Sequence, residues 1–313
     1  MSAGRMDKML ARVTVKTPAN DDPIIIDEKA LLTFIAWGDP QISSLSPLRS
    51  ARLLSACRDL ENMQGRADAL VMLGDITEYG RQCEYDHTAN LLLPFCDKFG
   101  TFLCVSGNHD IRVRDHARQL RRFEKFVESV PGGVTASNGR YWFSHAINGY
   151  KFIMMGSDKA TFESAFISDE QLAWLDSEIA VCGGKPVFVL NHQALAHTNG
   201  LPITWLGKGD FRGTVGGQSD RIRAIFEKYK NVYYITGHLH YGTSKYNFED
   251  YGAFKALSVP TVGVINHGDF PADAQGYIVS VYEDIIILRS RVFGEGRYVD
   301  PSYPGGYFEV PVD

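Results

Sequence analysis

Residues 101–110, TFLCVSGNHD, decide how this chain is read. Thr101 to Val105 is an apolar run of strand length, and it stops at Gly107-Asn108. Asn108, His109 and Asp110 therefore open a loop at the carboxyl end of a buried strand. Four other runs end in the same way. Leu31 to Trp37 stops at Gly38-Asp39, Ala69 to Leu73 at Gly74-Asp75, Pro186 to Leu190 at Asn191-His192, and Val232 to Thr236 at Gly237-His238. Helical periodicity occupies Ser46 to Leu60, Glu84 to Phe95, Ala117 to Val130 and Ser219 to Tyr229. Ser168 with Gln171 reads as a capping box before an apolar pattern through Ala180. Strand, polar loop and helix in this order predict an α/β fold around a largely buried sheet. Ligands of open α/β sheets bind outside the carboxyl ends of the strands, so separate loops can bring these polar residues to one place.

The remaining segments fill in the architecture. Arg140 to Ser144 and Tyr150 to Met155 read as strands joined at Asn148-Gly149, a hairpin signal. Val259 to Ile265, Gly276 to Val281 and Ile285 to Arg291 read as antiparallel strands. The stretch 196–217 is Gly-rich and without periodicity, which predicts a long loop of the kind that often serves a site. With no repeat or composition break, one domain is expected over 31–292. An N-terminal extension (1–30) precedes it, and an irregular surface tail (293–313) follows.

Composition narrows the function classes. The 313 residues carry a net charge of -5, from 32 basic and 37 acidic side chains. No Lys/Arg block forms a nucleic-acid footprint, so a nucleic-acid partner is disfavoured. No apolar stretch approaches a membrane span. The five cysteines are odd in number and lack paired spacings, which argues against a disulfide scaffold or a catalytic thiol and for a reducing, cytoplasmic setting.

The strand-end residues carry the chemistry. A single Asp or Asn after a strand is usually a cap or turn former, and a single His there is usually a surface group. Five such residues in order, each at the exit of an apolar run, point instead to a metal site. Two cations ~4 Å apart need a bridging carboxylate with mixed oxygen and imidazole ligands. Imidazoles favour transition ions or zinc over magnesium.

The segments Asp39-Pro40-Gln41, Gly74 to Glu78, Gly107 to Asp110, His192 and Gly237 to His240 together resemble the calcineurin-like metallophosphoesterase family. Its pattern runs Asp-x-His, Gly-Asp-x-x-(Asn/Asp/Glu), Gly-Asn-His-(Asp/Glu), a single His after a strand, and Gly-His-x-His. The resemblance implies a four-layer α/β/β/α sandwich of two facing mixed β-sheets. It implies that Asp75 bridges two metal ions, divalent or trivalent, with manganese, iron or zinc expected. Asp39, Gln41 and His240 would complete one side, and Asn108, His192 and His238 the other. His109 would stand beside the metals at the leaving group, oriented by Asp110. Gln41 departs from the family's usual His, as in a minority branch with Asp-x-Gln; it either ligates weakly or holds a water or a neighbouring ligand. Glu78 is expected to support the ligands.

The implied activity is hydrolysis of a phosphate ester by a metal-bound hydroxide. A phosphomonoesterase acting on a small molecule or phosphoprotein is expected first. The alternative is a phosphodiesterase of cyclic nucleotides or glycerophosphodiesters. Retention of His109 and Asp110 argues against a non-catalytic metal-binding scaffold. Candidate substrate contacts are Arg112, His197 and Trp205, with Lys208, Asp210 and Phe211 beside them. Arg112 is also a candidate ion-pair partner of Asp110 or Asp115. Tyr85 and His87 are candidates for the pocket rim or for a solvated helix start.

Overall fold

The computed structural model describes residues 2–19, 21–113, 115–136, 139–208 and 212–312. The first half of the chain runs α1 (Ala3–Leu10), β1 (Leu32–Trp37), α2 (Pro47–Asp59), β2 (Ala67–Leu73), α3 (Gln82–Leu92), β3 (Phe99–Val105), the one-turn α4 (Asn108–Ile111), α5 (His116–Ser129), β4 (Phe143–Ile147) and β5 (Tyr150–Met154). The second half runs α6 (Asp169–Ala180), β6 (Val187–Leu190), α7 (Ser219–Phe226), β7 (Val232–Thr236), β8 (Phe248–Asp250), β9 (Phe254–Ser258), β10 (Gln275–Val281), β11 (Ile285–Val292), β12 (Arg297–Tyr298) and β13 (Tyr307–Pro311).

These strands form two mixed sheets. One has the order β12-β11-β10-β1-β2-β3, with β13 also on β11; the other has the order β4-β5-β6-β7-β9-β8. β1, β2 and β3 are parallel, as are β5, β6, β7 and β9, while β10 and β11 run antiparallel. All six residues of β1 are buried because both of its faces are covered. Phe34 and Ala36 point into the core between the sheets, whereas Ile35 and Trp37 point into the core under the helices. Phe34 meets Phe152 and Phe188 of the opposite sheet edge-on, at centroid distances of 5.3 and 5.1 Å. A third core joins the second sheet to α6 and α7. The result is the expected α/β/β/α sandwich. It brings the carboxyl ends of β1, β2 and β3 opposite those of β6 and β7.

Three segments differ from the sequence expectation. The tail expected to run irregularly over 293–313 is, through residue 312, partly in the sheet: β12 and β13 extend the first sheet, and Val299 and Val310 are buried. The opening segment contains α1, whose Met6 joins the core beneath α2 and α3. Val259 to Ile265 is not a strand. Its sheet strand is β9, ending at Ser258, after which Val262 N–H donates to Gly38 O (2.8 Å) and braces the Asp39 turn. The Asn148-Gly149 hairpin forms between β4 and β5, with both residues at positive φ. Ser168 Oγ caps α6 by accepting from Gln171 N–H (3.2 Å), but the Gln171 side chain turns inward to Gly156 rather than closing the box. No helix among the described residues is long and apolar enough to cross a membrane, and all five cysteines are free.

Candidate metal centre

The five strand ends converge on one buried cluster. Asp39, Gln41, Asp75, Asn108, His192 and His238 are all buried, and only the His240 side chain, 22 % exposed, reaches towards solvent. Two donor groups emerge, Asp75/His192/His238 and Asp39/Asp75/His240, each with its ligand atoms within 4.8 Å of one another. Asp75 belongs to both. In the first group, His192 Nε2 lies 3.3 Å from Asp75 Oδ1, 3.0 Å from His238 Nδ1 and 3.1 Å from Asn108 Oδ1. His192 Nδ1 sits 2.7 Å from the Leu73 carbonyl, which turns Nε2 into the cluster. Asn108 Nδ2 donates to Phe162 O (3.1 Å), so its Oδ1 faces the same point. In the second group, His240 Nε2 lies 3.0 Å from Asp39 Oδ1.

The donor set fits metal ions. Gln41 Oε1 is buried without a hydrogen-bond partner, and such an orphan acceptor is costly unless a cation satisfies it. The electrostatics point the same way. Burial works against charge on Asp75 and on His192, yet their mutual attraction wins: Asp75 lies well below the usual carboxylate range and His192 is raised to about 9. His238, by contrast, is held well below its ordinary value by burial and by His192. The cluster thus stabilises positive charge beside Asp75, and its mixed carboxylate, amide and imidazole donors suit a binuclear centre.

Local backbone geometry sets these donors. Asp39, Gln41, Asp75, His238 and His240 have φ of 49°, 41°, 48°, 70° and 51°, in the left-handed region that side chains rarely adopt. Strain of this kind, about 1–3 kcal/mol per residue, gathers at functional sites. The glycines allow close approach. A Cβ on Gly107 would collide with the Asp75 carboxylate, and one on Gly237 would stand 2.6 Å from Asp39 Oδ2.

His109 lies on the rim of the cluster. Its backbone N–H donates to Asp75 Oδ1 (2.8 Å), and its ring is within 3.1 Å of Gln41 Nε2 and 3.2 Å of Glu78 Oε1. The expected pairing with Asp110 gives way to Glu78. Asp110 is buried behind the loops and accepts from Gly107 N–H (2.9 Å), Ile76 N–H (3.1 Å), Thr77 N–H (2.9 Å) and Tyr85 Oη (3.1 Å). Burial, reinforced by the charge of Asp75, pushes Asp110 up to about 6. Burial opposes ionisation of Glu78 too, but hydrogen bonds from His109 and Arg49 bring it down to about 2. Burial also disfavours charge on His109, yet Asp75 and Glu78 outweigh it and raise its pKa.

Arg112 reaches the site but pairs with neither Asp110 nor Asp115. Its Nη2 lies 2.8 Å from His109 Nδ1 and 3.6 Å from Glu78, while Nη1 lies 3.6 Å from Glu163. Trp205 stacks on the His238 imidazole at 4.5 Å, so the 196–217 loop does reach the centre. Lys208 lies beside Trp205, whereas Asp210 and Phe211 fall outside the described residues. His197 is exposed, and its carbonyl accepts from Tyr251 Oη (3.1 Å) near β8. Tyr85 and His87 are fully buried rather than at the rim, with His87 between Asp7 (2.8 Å) and Ser50 (3.0 Å). Phe162 and Glu163 were missed by sequence reasoning, because the irregular stretch around them carries no motif.

Among the described residues, two donor groups share one carboxylate at the facing ends of two sheets, the arrangement of a candidate binuclear metal centre. Residues 33–242 match the calcineurin-like phosphoesterase family, and the chain belongs to it. It is 26% identical over 186 residues to a glycerophosphodiester phosphodiesterase of Enterobacter lignolyticus, covering 58% of this chain and 59% of that protein. It is 28% identical over 182 residues to a cAMP/cGMP dual specificity phosphodiesterase of Mycobacterium tuberculosis, covering 57% and 50%. The match thus spans between half and three fifths of these relatives' length. Among solved structures, a dimetal phosphatase from Danio rerio superposes with a TM-score of 0.62 at 14% identity, over 91% of this chain and 100% of that one. Purple acid phosphatase from yellow lupin gives 0.59 at 14% identity, over 90% and 53%. Both likenesses concern the fold alone.

Proposed function

We propose that the chain is a phosphodiesterase acting on cyclic nucleotides or glycerophosphodiesters, the alternative rather than the first expectation from sequence. Hydrolysis itself rests on one observation: Asp75 is shared by two donor groups and lies 2.8 Å from the N–H of His109. The diester preference is supported by the relatives, whose names give diester substrates. It is also supported by Arg112, which already faces Glu78 and Glu163 and offers little uncompensated charge. A monoester brings about two negative charges to such a site and a diester brings one.

Manganese, iron or zinc suits the imidazole-rich set, and Asp39-Pro40-Gln41 is the feature that supports a reading within the family's minority Asp-x-Gln branch. The ions, when bound, supply an activated water and offset charge on the phosphoryl oxygens. Asp39, Asp75, Asn108, His192, His238 and His240 would hold them, with Gln41 Oε1 as the seventh ligand atom. His109 holds a proton for the departing oxygen, and Glu78 with Arg112 fixes its ring. Free thiols throughout suit a cytoplasmic setting.

The test is hydrolysis after manganese reconstitution, comparing a diester with the monoester of the same alcohol. The expected result is a kcat/KM at least about tenfold higher on the diester. In His109→Ala, turnover falls by about 10²–10⁴ with metal content retained. A dominant monoester rate would remove the diesterase reading.

A further inference from the structure

Beside the metal centre lies a cleft of about 510 Å³ lined by Phe162, Glu163, Ser164, Trp205, Lys208 and Arg212. The steps at phosphorus leave it unused, and its volume suits a nucleotide-sized molecule. It is joined to the metal ligands at both walls. On one side Asn108 Nδ2 holds the Phe162 carbonyl at 3.1 Å; on the other Trp205 stacks on His238 with rings inclined by 26°.

The lining has a definite chemical character. Phe162 is 73 % exposed, a large apolar ring left in water at the mouth of a catalytic site. The Arg112 guanidinium lies 5.1 Å from the centroid of that ring, and the Lys208 ammonium 5.2 Å from that of Trp205. A glycerol-type group has no flat face to set against either ring. A nucleobase has two faces that stack on aromatic side chains. Its edge carries acceptors for Lys208 and Arg212 and donors for Glu163.

We propose that this cleft receives the organic group of the ester and selects a planar nitrogen heterocycle of nucleobase type over a glycerol-type group, with Phe162 as a specificity-determining residue. The proposal rests on the hydrolase reading above and narrows its two substrate classes to one. Phe162 contributes to selectivity by stacking, so the effect falls mainly on KM.

Four substrates separate this proposal from the diesterase reading: a 3′,5′-cyclic nucleotide, glycerophosphoethanolamine, a nucleoside monophosphate and glycerol phosphate. The nucleoside-to-glycerol ratio of kcat/KM reports on the cleft, and the diester-to-monoester ratio reports on the chemistry. The manganese-loaded protein is expected to prefer the nucleoside member of each pair. Phe162→Ala is expected to cut that preference about tenfold, chiefly through KM, and Phe162→Trp to retain it. Its exposure means that folding is not at stake. Equal loss on nucleoside and glycerol esters in Phe162→Ala, or no nucleoside preference to begin with, overturns the proposal. A preference for monoesters that still responds to Phe162→Ala removes the diesterase reading and leaves the cleft assignment standing.

Discussion

The two halves of the metal centre are built differently. The half made by Asp75, His192 and His238 is closed: all three are buried, and the Leu73 carbonyl and Asn108 fix His192 from both ends. The other half, Asp39 and His240 with the shared Asp75, is open on the His240 side and has an amide at Gln41 where the family usually has an imidazole. The Gln41 side chain is also divided, with Nε2 engaged by Glu78 (3.1 Å) and by His109, and only Oε1 left as a donor. A buried, pre-aimed ligand loses little freedom on binding, whereas an exposed imidazole and a neutral amide hold an ion less firmly. On the proposed reading the closed half would hold its ion more tightly than the open half, with Asp75 common to both.

The largest effect belongs to the residue the halves share. Asp75→Asn should strip both ions and lower turnover by on the order of 10³ or more, as metal analysis and steady-state rates would report. Retention of two ions in that variant would mean that Asp75 is not the bridge. The halves come apart in the next pair. His192→Ala should lose the ion of the closed half, while His240→Ala should lose only that of the open half, as metal content per chain would report. Glu78→Gln should leave the tight ion in place and slow turnover about 10–100-fold, since the His109 ring loses its carboxylate. The smallest change sharpens the contrast most finely. Gln41→His should raise the affinity of the open half by about tenfold and leave the closed half unaltered.

The sequence already contained much of this centre. Five of the candidate ligands stand where an apolar run meets a polar residue, and burial of a strand between two layers forces that boundary. Asp39, Asp75, Asn108, His192 and His238 were legible for this reason, and His240 through its spacing from His238. The partner of His109 was not. Asp110 is next to it in sequence, but both sit in the single turn of α4, where consecutive side chains diverge. The carboxylate that does reach the ring, Glu78, comes from another loop. Tail strands were missed for a related reason. Tyr307–Pro311 places Phe308 and Val310 inward, yet its sheet position depends on β11, a partner supplied by tertiary structure. The left-handed φ of five ligand residues had no signal either, because non-glycine strain is imposed by the surrounding fold rather than by local preference.

Graded chelation of the manganese-loaded protein, followed by metal content per chain and by diester hydrolysis together, tests the unequal binuclear centre most directly. The account predicts two ions per chain lost in two phases, with turnover disappearing in the first phase and the second ion persisting at higher chelator. Loss of both ions in one phase, or a fully active protein with a single ion per chain, would contradict it.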